Sequence, residues 1–326
     1  RGQGRSHKFA AKLRLMTEKN LAPLLASLRD ADVRRLAWAM GSPSLFDASN
    51  AAWQDRLRTD AWSARELARC TDWLHALDDK PDALHAALGD PTVPTPLGHT
   101  FEKYVLFWQA ARPDVRAATR GLIVRNGNRT VGEFDVVLLR HDGVIETLEV
   151  TVKYYLNLRP ELGIDGCIGP RAFDRMADKY AKMTTRQTDL GHTEAGRIAL
   201  CRWLEAECGE LRDPEALVVE NYALARGYVF HATADAAIPI ELSSAHGRGL
   251  WQTDETALPD VAPDAWRQLG GREWLGPYSG PTNVSGWPVD AAMPLMMARM
   301  VADAETSHEV ERRFVVRAES GLLKAV

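Results

Sequence analysis

The sequence predicts a mixed α/β (α+β) protein, and three observations carry that expectation. Residues 21–88 repeat apolar side chains at helical steps of three and four. Residues 121–156 hold three strand-like runs joined by Asn-Gly-Asn and His-Asp-Gly. Two helical patterns and a further strand-like run, 217–232, come next. The order expected is therefore α-β-β-β-α-(α)-β, preceded by a helical region and followed by a C-terminal extension.

Taken in order, Arg1, Arg5, Lys8, Lys12 and Arg14 have no acid among them, so residues 1–20 read as a flexible basic tail, either a start-site extension or a disordered arm. Residues 21–92 form a helical region, with Leu24 and Leu28, then Val33, Leu36, Ala37 and Met40, on its apolar faces, and Trp38, Trp53, Trp62 and Trp73 as core aromatics. Three prolines in "GDPTVPTPLGHT", 89–100, mark a boundary, because proline cannot donate to a ladder and breaks helices. The core is expected over 93–232. Thr100 should cap the helix "FEKYVLFWQAA", whose Phe101, Tyr104, Val105 and Trp108 share a face. Strands are expected at 121–125, 130–140 and 144–156, helices at 170–187 and 193–208, and a strand at 217–232. Beyond 233 the chain turns rich in Pro, Gly and Trp. It is expected to pack on the core, with a helix near 290–304 and a strand "RRFVVRA" at 312–318.

Composition narrows the classes. The 326 residues are 45% hydrophobic and 26% charged, which suits a soluble globular chain, and no apolar run approaches the roughly 20 residues that span a bilayer. Cys70, Cys167, Cys201 and Cys208 show no zinc-ligand spacing and read as reduced thiols of a cytoplasmic protein. The formal charge of −4 argues against general attraction to nucleic acid, although a local basic stripe remains open. There is no HExxH, no GxxxxGK[ST] and no GxGxxG.

The chemistry concentrates on the meander "GEFDVVLLRHDGVIETLEVTVKYYL", 132–156. Its strands look buried yet carry Glu133, Asp135, Glu149 and Lys153. Side chains alternate across a strand, so Glu133 and Asp135 share a face, as do Glu149, Thr151 and Lys153. A three-residue His-Asp-Gly loop closed by Arg140 and Val144, with Gly143 left-handed, sets Asp135 opposite Glu149 and Glu133 opposite Thr151. Like charges placed opposite one another repel. A divalent cation would offset them, and Mg²⁺ takes one or two carboxylates plus waters and phosphate oxygens. The competing reading is a solvated face with a Glu–Lys cross-strand pair. In the following helix Arg171, Arg175, Lys179, Lys182 and Arg186 step by three and four into a stripe that suits phosphates, or else a solvated face partnered by Asp174 and Asp178. Gln187 closes that helix, where it would support the site or cap.

Gly98-His-Thr-Phe-Glu102, "VGEFD" (131–135), "LEVTVKYYL" (148–156), "GPRAFDRMADKYAKMTTRQ" (169–187) and "GYVF" (227–230) resemble a bacterial family, domain of unknown function 1853, placed in the PD-(D/E)XK nuclease superfamily. The resemblance runs from about residue 20 to the end. It implies a restriction-endonuclease-like αβββαβ core and a phosphodiesterase site that uses Mg²⁺ or Mn²⁺. Asp135 would be first metal ligand and Glu149 second, with Lys153 beside the attacking water; Glu102 would match the acid of the first helix, and Glu133 would orient ligands or serve a second metal. The usual motif has an acid two residues before the lysine, and here that position is Thr151. Two functional expectations follow, a nuclease acting on DNA or RNA and a catalytically inactive nuclease fold that binds nucleic acid or a protein partner. A third, an interaction scaffold using the Trp-rich flanks, predicts no salt-dependent affinity for nucleic acid.

Overall fold

Short polar side chains cap three of the helices. The computed structural model describes residues 21–254, 266–280, 294–302, 307–318 and 321–324. The expected basic tail, 1–20, lies outside them. After helical residues 21–27, Asp30 caps α1 (Ala31–Gly41) by accepting from the N–H groups of Asp32 and Val33 at 2.9 and 3.0 Å. Thr59 caps α2 (Asp60–Asp79) through the Trp62 N–H, and α3 (Asp82–Leu88) follows. Trp38 and Trp53 are buried as expected, whereas Trp62 and Trp73 are half-buried.

The next helix, α4 (Leu97–Ala110), begins three residues before the cap read from the sequence. Pro96 is extended and the helix starts at once behind it, so Thr100 sits inside, its hydroxyl donating back to the Pro96 carbonyl at 3.4 Å. The face of Phe101, Tyr104, Val105 and Trp108 is buried.

Contacts divide the chain into two compact units. One takes in the chain up to Ser44, Ala48–Val152 and Tyr180–Ala225; the other takes in Leu45–Asp47, Lys153–Lys179 and the chain from Arg226. In the first, β1 (Val115–Asn126), β2 (Arg129–Arg140), β3 (Ile145–Asn157) and β5 (Val219–His231) lie in the order β1-β2-β3-β5. The first strand starts six residues before its expected position, because "VRAATR" carries small and polar side chains that suit a half-buried edge and give no apolar signal. The β2–β3 turn forms as read: Arg140 N–H donates to Val144, Gly143 N–H donates to Arg140, both at 3.0 Å, and Gly143 has φ 86°. The register runs from Leu139↔Ile145 to Val136↔Leu148, the one expected.

Behind this meander packs α6 (Glu194–Cys208), capped by Thr193 and ended by left-handed Gly209. Its Ala199, Leu200, Trp203 and Leu204 meet Val124, Phe134, Val137, Leu139 and Ile145. Fully burying a side chain of the Leu, Ile or Val kind stabilises by about 1.5–3 kcal/mol, so this contact anchors the meander on α6. One group from β3 needs separate support: Glu146, 1% exposed, accepts from Arg58 and from Arg112 at 3.1 Å. Arg58 lies against two rings, its guanidinium carbon 3.4 Å from the centre of Tyr222 and 4.7 Å from that of Trp62.

In the second unit the order is β3-β5-β6-β10-β9-β7, with β4 (Cys167–Ile168) on β3 and β8 (Ser279–Gly280) on β10. The added strands are β6 (Gly247–Thr253), β7 (Trp266–Leu269), β9 (Leu295–Ala302) and β10 (Ser307–Val316). Strand β6 is parallel to both β5 and β10; β9 is antiparallel to β10 and β7. The helix expected near 290–304 is thus corrected: residues 295–302 are a strand, paired on both edges, and the remainder of that span lies largely outside the described residues. The late strand at 312–318 is present as the second half of β10. Aromatic rings make the core here, with Phe314 against Phe230 at 5.1 Å and Trp274 at 5.6 Å. Buried Arg312 pairs with Glu309 and donates to the carbonyls of Trp274 and Gly276. Gly227 on β5 has φ 139°, and a Cβ there would stand 1.8 Å from the Lys153 carbonyl oxygen. No described helix is long and apolar enough to cross a membrane.

Candidate functional site

The carboxylates assemble where the β2–β3 ladder ends. The ladder ends at Val136↔Leu148, so the pairing of Asp135 with Glu149 read from the sequence falls one step beyond it. There the Asp135 carboxylate accepts the Val150 backbone N–H at 2.8 Å, which fixes Asp135 against the peptide that follows Glu149. Glu149 itself is 6% exposed. On the other edge of β2, Gly121 stands opposite Asp135 with φ 68°. A Cβ there would come within 3.3 Å of Glu133 Oε1, so the absent side chain leaves room for that carboxylate.

Glu102 reaches the same place from α4, one position past the buried Phe101. Burial pushes its carboxyl above the ordinary value, the negative charge of Asp135 pushes it further, and Glu133 adds to this; His99 and Arg120 act in the opposite sense. Arg120 on β1 holds Glu102 Oε2 at 3.3 Å. The structure therefore brings Glu102, Asp135 and Glu133 within electrostatic reach of one another, and an arginine that the sequence reading missed partly offsets them. Arg120 could have been found only through the long β1 strand, which the apolar pattern cut short at its beginning.

All these donors are oxygens, the kind that Mg²⁺ and Mn²⁺ prefer. Among the described residues no group of three or more His, Cys, Asp or Glu side chains is placed to hold a metal ion. Mg²⁺ keeps several waters and uses one or two carboxylates together with phosphate oxygens, so a mutually repelling pair such as Glu102 and Asp135 fits it and does not fit a structural zinc.

Lys153, on the stretch of β3 that belongs to the second unit, has a carboxylate of its own. Its ammonium pairs with Asp174 Oδ2 at 2.5 Å, and the Tyr155 hydroxyl donates to Asp174 Oδ1 at 3.2 Å. Burial, then the charge of Asp174, push the Tyr155 phenol far above its usual range, so it stays a donor. The sequence reading gave Asp174 to the basic stripe, since the residue appeared to lie on a helix. It lies in a loop instead. Thr151, two residues before Lys153, is buried.

The basic stripe does not form on one helix. The helix α5 spans only Met176–Lys182, so Arg171 and Arg175 precede it. Residues Met183–Gln187 then make a π-helical turn, with the Thr188 hydroxyl donating to the Met183 carbonyl at 2.8 Å. A π turn changes the angular step, and it breaks the alignment of Arg186 with Lys182 and Lys179. Arg186 donates to the Val131 carbonyl at 3.4 Å, Lys179 is half-buried, Lys182 is exposed, and Gln187 ends the π turn half-buried.

A family model, domain of unknown function DUF1853, matches residues 34–316. The chain belongs to DUF1853. No curated protein and no solved structure matches it. The DUF1853 match takes in residues of both units, Glu102, Glu133, Asp135, Glu149, Lys153 and Asp174 among them.

Proposed function

We propose that this DUF1853 protein is a metal-dependent nuclease of the PD-(D/E)XK type, hydrolysing phosphodiester bonds of DNA or RNA. The observation that carries the reading is the gathering of Glu102 and Asp135 within electrostatic reach at the end of the β2–β3 ladder, where the Val150 N–H fixes Asp135. Folding like charges together opposes stability and is a mark of functional sites. When bound, Mg²⁺ or Mn²⁺ supplies an acidified water and positive charge that offsets the phosphate.

Within the chain, Asp135 and Glu149 hold the ion, Asp135 oriented by the Val150 N–H. Glu102 and Glu133 orient its waters, Glu102 in turn held by Arg120. The resemblance would give Lys153 to the attacking water or the phosphate; in the second unit its ammonium is held by Asp174. The second reading, an inactive nuclease fold that binds nucleic acid or a protein, is favoured by buried Thr151 where the usual PD-(D/E)XK motif has an acid.

Calorimetric titration of Mn²⁺ into the protein and its Asp135→Asn variant, followed by cleavage assays on mixed DNA and RNA, tests the proposal. Metal binding and Mg²⁺-dependent cleavage that both vanish in the variant are expected. Absence of binding to the parent protein overturns the nuclease reading in favour of the inactive one.

A further inference from the structure

The loop that carries Asp174 displays an aromatic ring. Gly169 N–H donates to the Asp174 carbonyl at 2.7 Å and Ala172 N–H to the Gly169 carbonyl at 2.9 Å, and a bridge between Ile168 and Arg175 closes the base. The Asp174 side chain is tied down twice, by Lys153 and by Tyr155. Between these anchors Ala172 takes φ 68°, a left-handed conformation that costs a non-glycine residue energy. The result is that Phe173 is 79% exposed, the only aromatic among the large exposed hydrophobics of the described residues. Arg171 and Arg175, two positions to either side, are exposed as well.

Phenylalanine is among the larger apolar side chains a fold can bury, so a folded chain that holds one out on a pinned loop forgoes that stabilisation. A single ring is too small for the apolar centre of a protein interface, which needs a contiguous patch. One ring with a guanidinium on each side matches the way unpaired bases are held: the base stacks on the ring and the flanking phosphates meet the cations. From this we infer that loop 169–175 is a stacking platform for single-stranded nucleic acid. The inference rests on the nuclease reading only for its relevance to cleavage, since stacking requires no metal.

Fluorescence anisotropy in EDTA with labelled dT₂₀, U₂₀ and a 20-base-pair DNA duplex tests it, because no cleavage occurs without metal. Single strands should bind tighter than duplex. Phe173→Ala should weaken single-strand binding by about 5- to 100-fold, and Phe173→Trp should restore it. Arg171→Gln and Arg175→Gln should each lower the salt dependence of binding by somewhat less than one phosphate contact's worth. Equal affinity of the parent and Phe173→Ala for both single strands, or no binding of any probe, overturns the platform whatever the cleavage assay shows. Intact single-strand binding by Asp135→Asn in EDTA separates this outcome from failure of the metal site.

Discussion

Replacing Glu146 with alanine should destabilise the protein by roughly 3–5 kcal/mol, because removing one partner of a buried ion pair leaves the other charge uncompensated. The structure shows where the cost falls. Arg112 keeps Asp114 at 2.6 Å and Gln109 at 2.8 Å after the change. Arg58 loses its only carboxylate among the described residues, its Nε is buried without a hydrogen-bond partner, and only the rings of Tyr222 and Trp62 remain against it. Glu146→Gln, which still accepts hydrogen bonds, should cost about 1–2 kcal/mol. Arg58→Met combined with Glu146→Leu should cost less than the two single changes together, since the charges leave as a pair. Urea unfolding followed by tryptophan fluorescence measures this as a fall in midpoint at unchanged slope. A loss under about 1 kcal/mol in Glu146→Ala, or strict additivity between positions 58 and 146, would refute the argument.

Two further outcomes follow from the titrating groups. Glu102 has its carboxyl pushed up by burial and by Asp135, so its ionised form is disfavoured by folding, and this penalty is present above its folded pKa and relieved as pH falls to the unfolded one. Glu102→Gln should therefore raise the urea midpoint at pH 7 while weakening Mn²⁺ binding; a lower midpoint would show that the bond to Arg120 outweighs the repulsion. His231, 1% exposed on β5 beside Asn157 at 3.3 Å, is pushed down to about 4, mostly by burial and then by the charge of Arg248. It folds neutral, so its contribution is complete above pH 6.5 and is lost as pH falls toward 4, on the order of 3 kcal/mol in total. His231→Asn should flatten the stability profile across that window, and an unchanged slope between pH 6.5 and 4 would contradict it.

What was legible in the sequence was what local chemistry decides. His-Asp-Gly between two apolar runs specifies its own turn, and the turn sets the register from Leu139↔Ile145 to Val136↔Leu148. Partners far apart in the chain were not legible. "LMMARMV" alternates too loosely to distinguish strand from helix, and its two neighbours, β7 and β10, settle the matter through pairing. The basic stripe failed for a related reason. Nothing local in "GPRAFDR" announces that Asp174 turns to a lysine 21 positions earlier, and that bond holds the loop that delays α5. Glu146, unremarked among its apolar neighbours, is understood only once Arg58 and Arg112 are seen to meet it.

Gly227 bears on how a mutational screen of this family should be read. Every side chain larger than hydrogen at that position must displace the Lys153 peptide, so under the proposed nuclease reading all nineteen substitutions should abolish cleavage together, in the pattern usually taken to identify a catalytic residue. The distinction lies in what else is lost: changes at 227 should lower expression and cooperative unfolding along with turnover, whereas Lys153→Ala should leave a protein that folds.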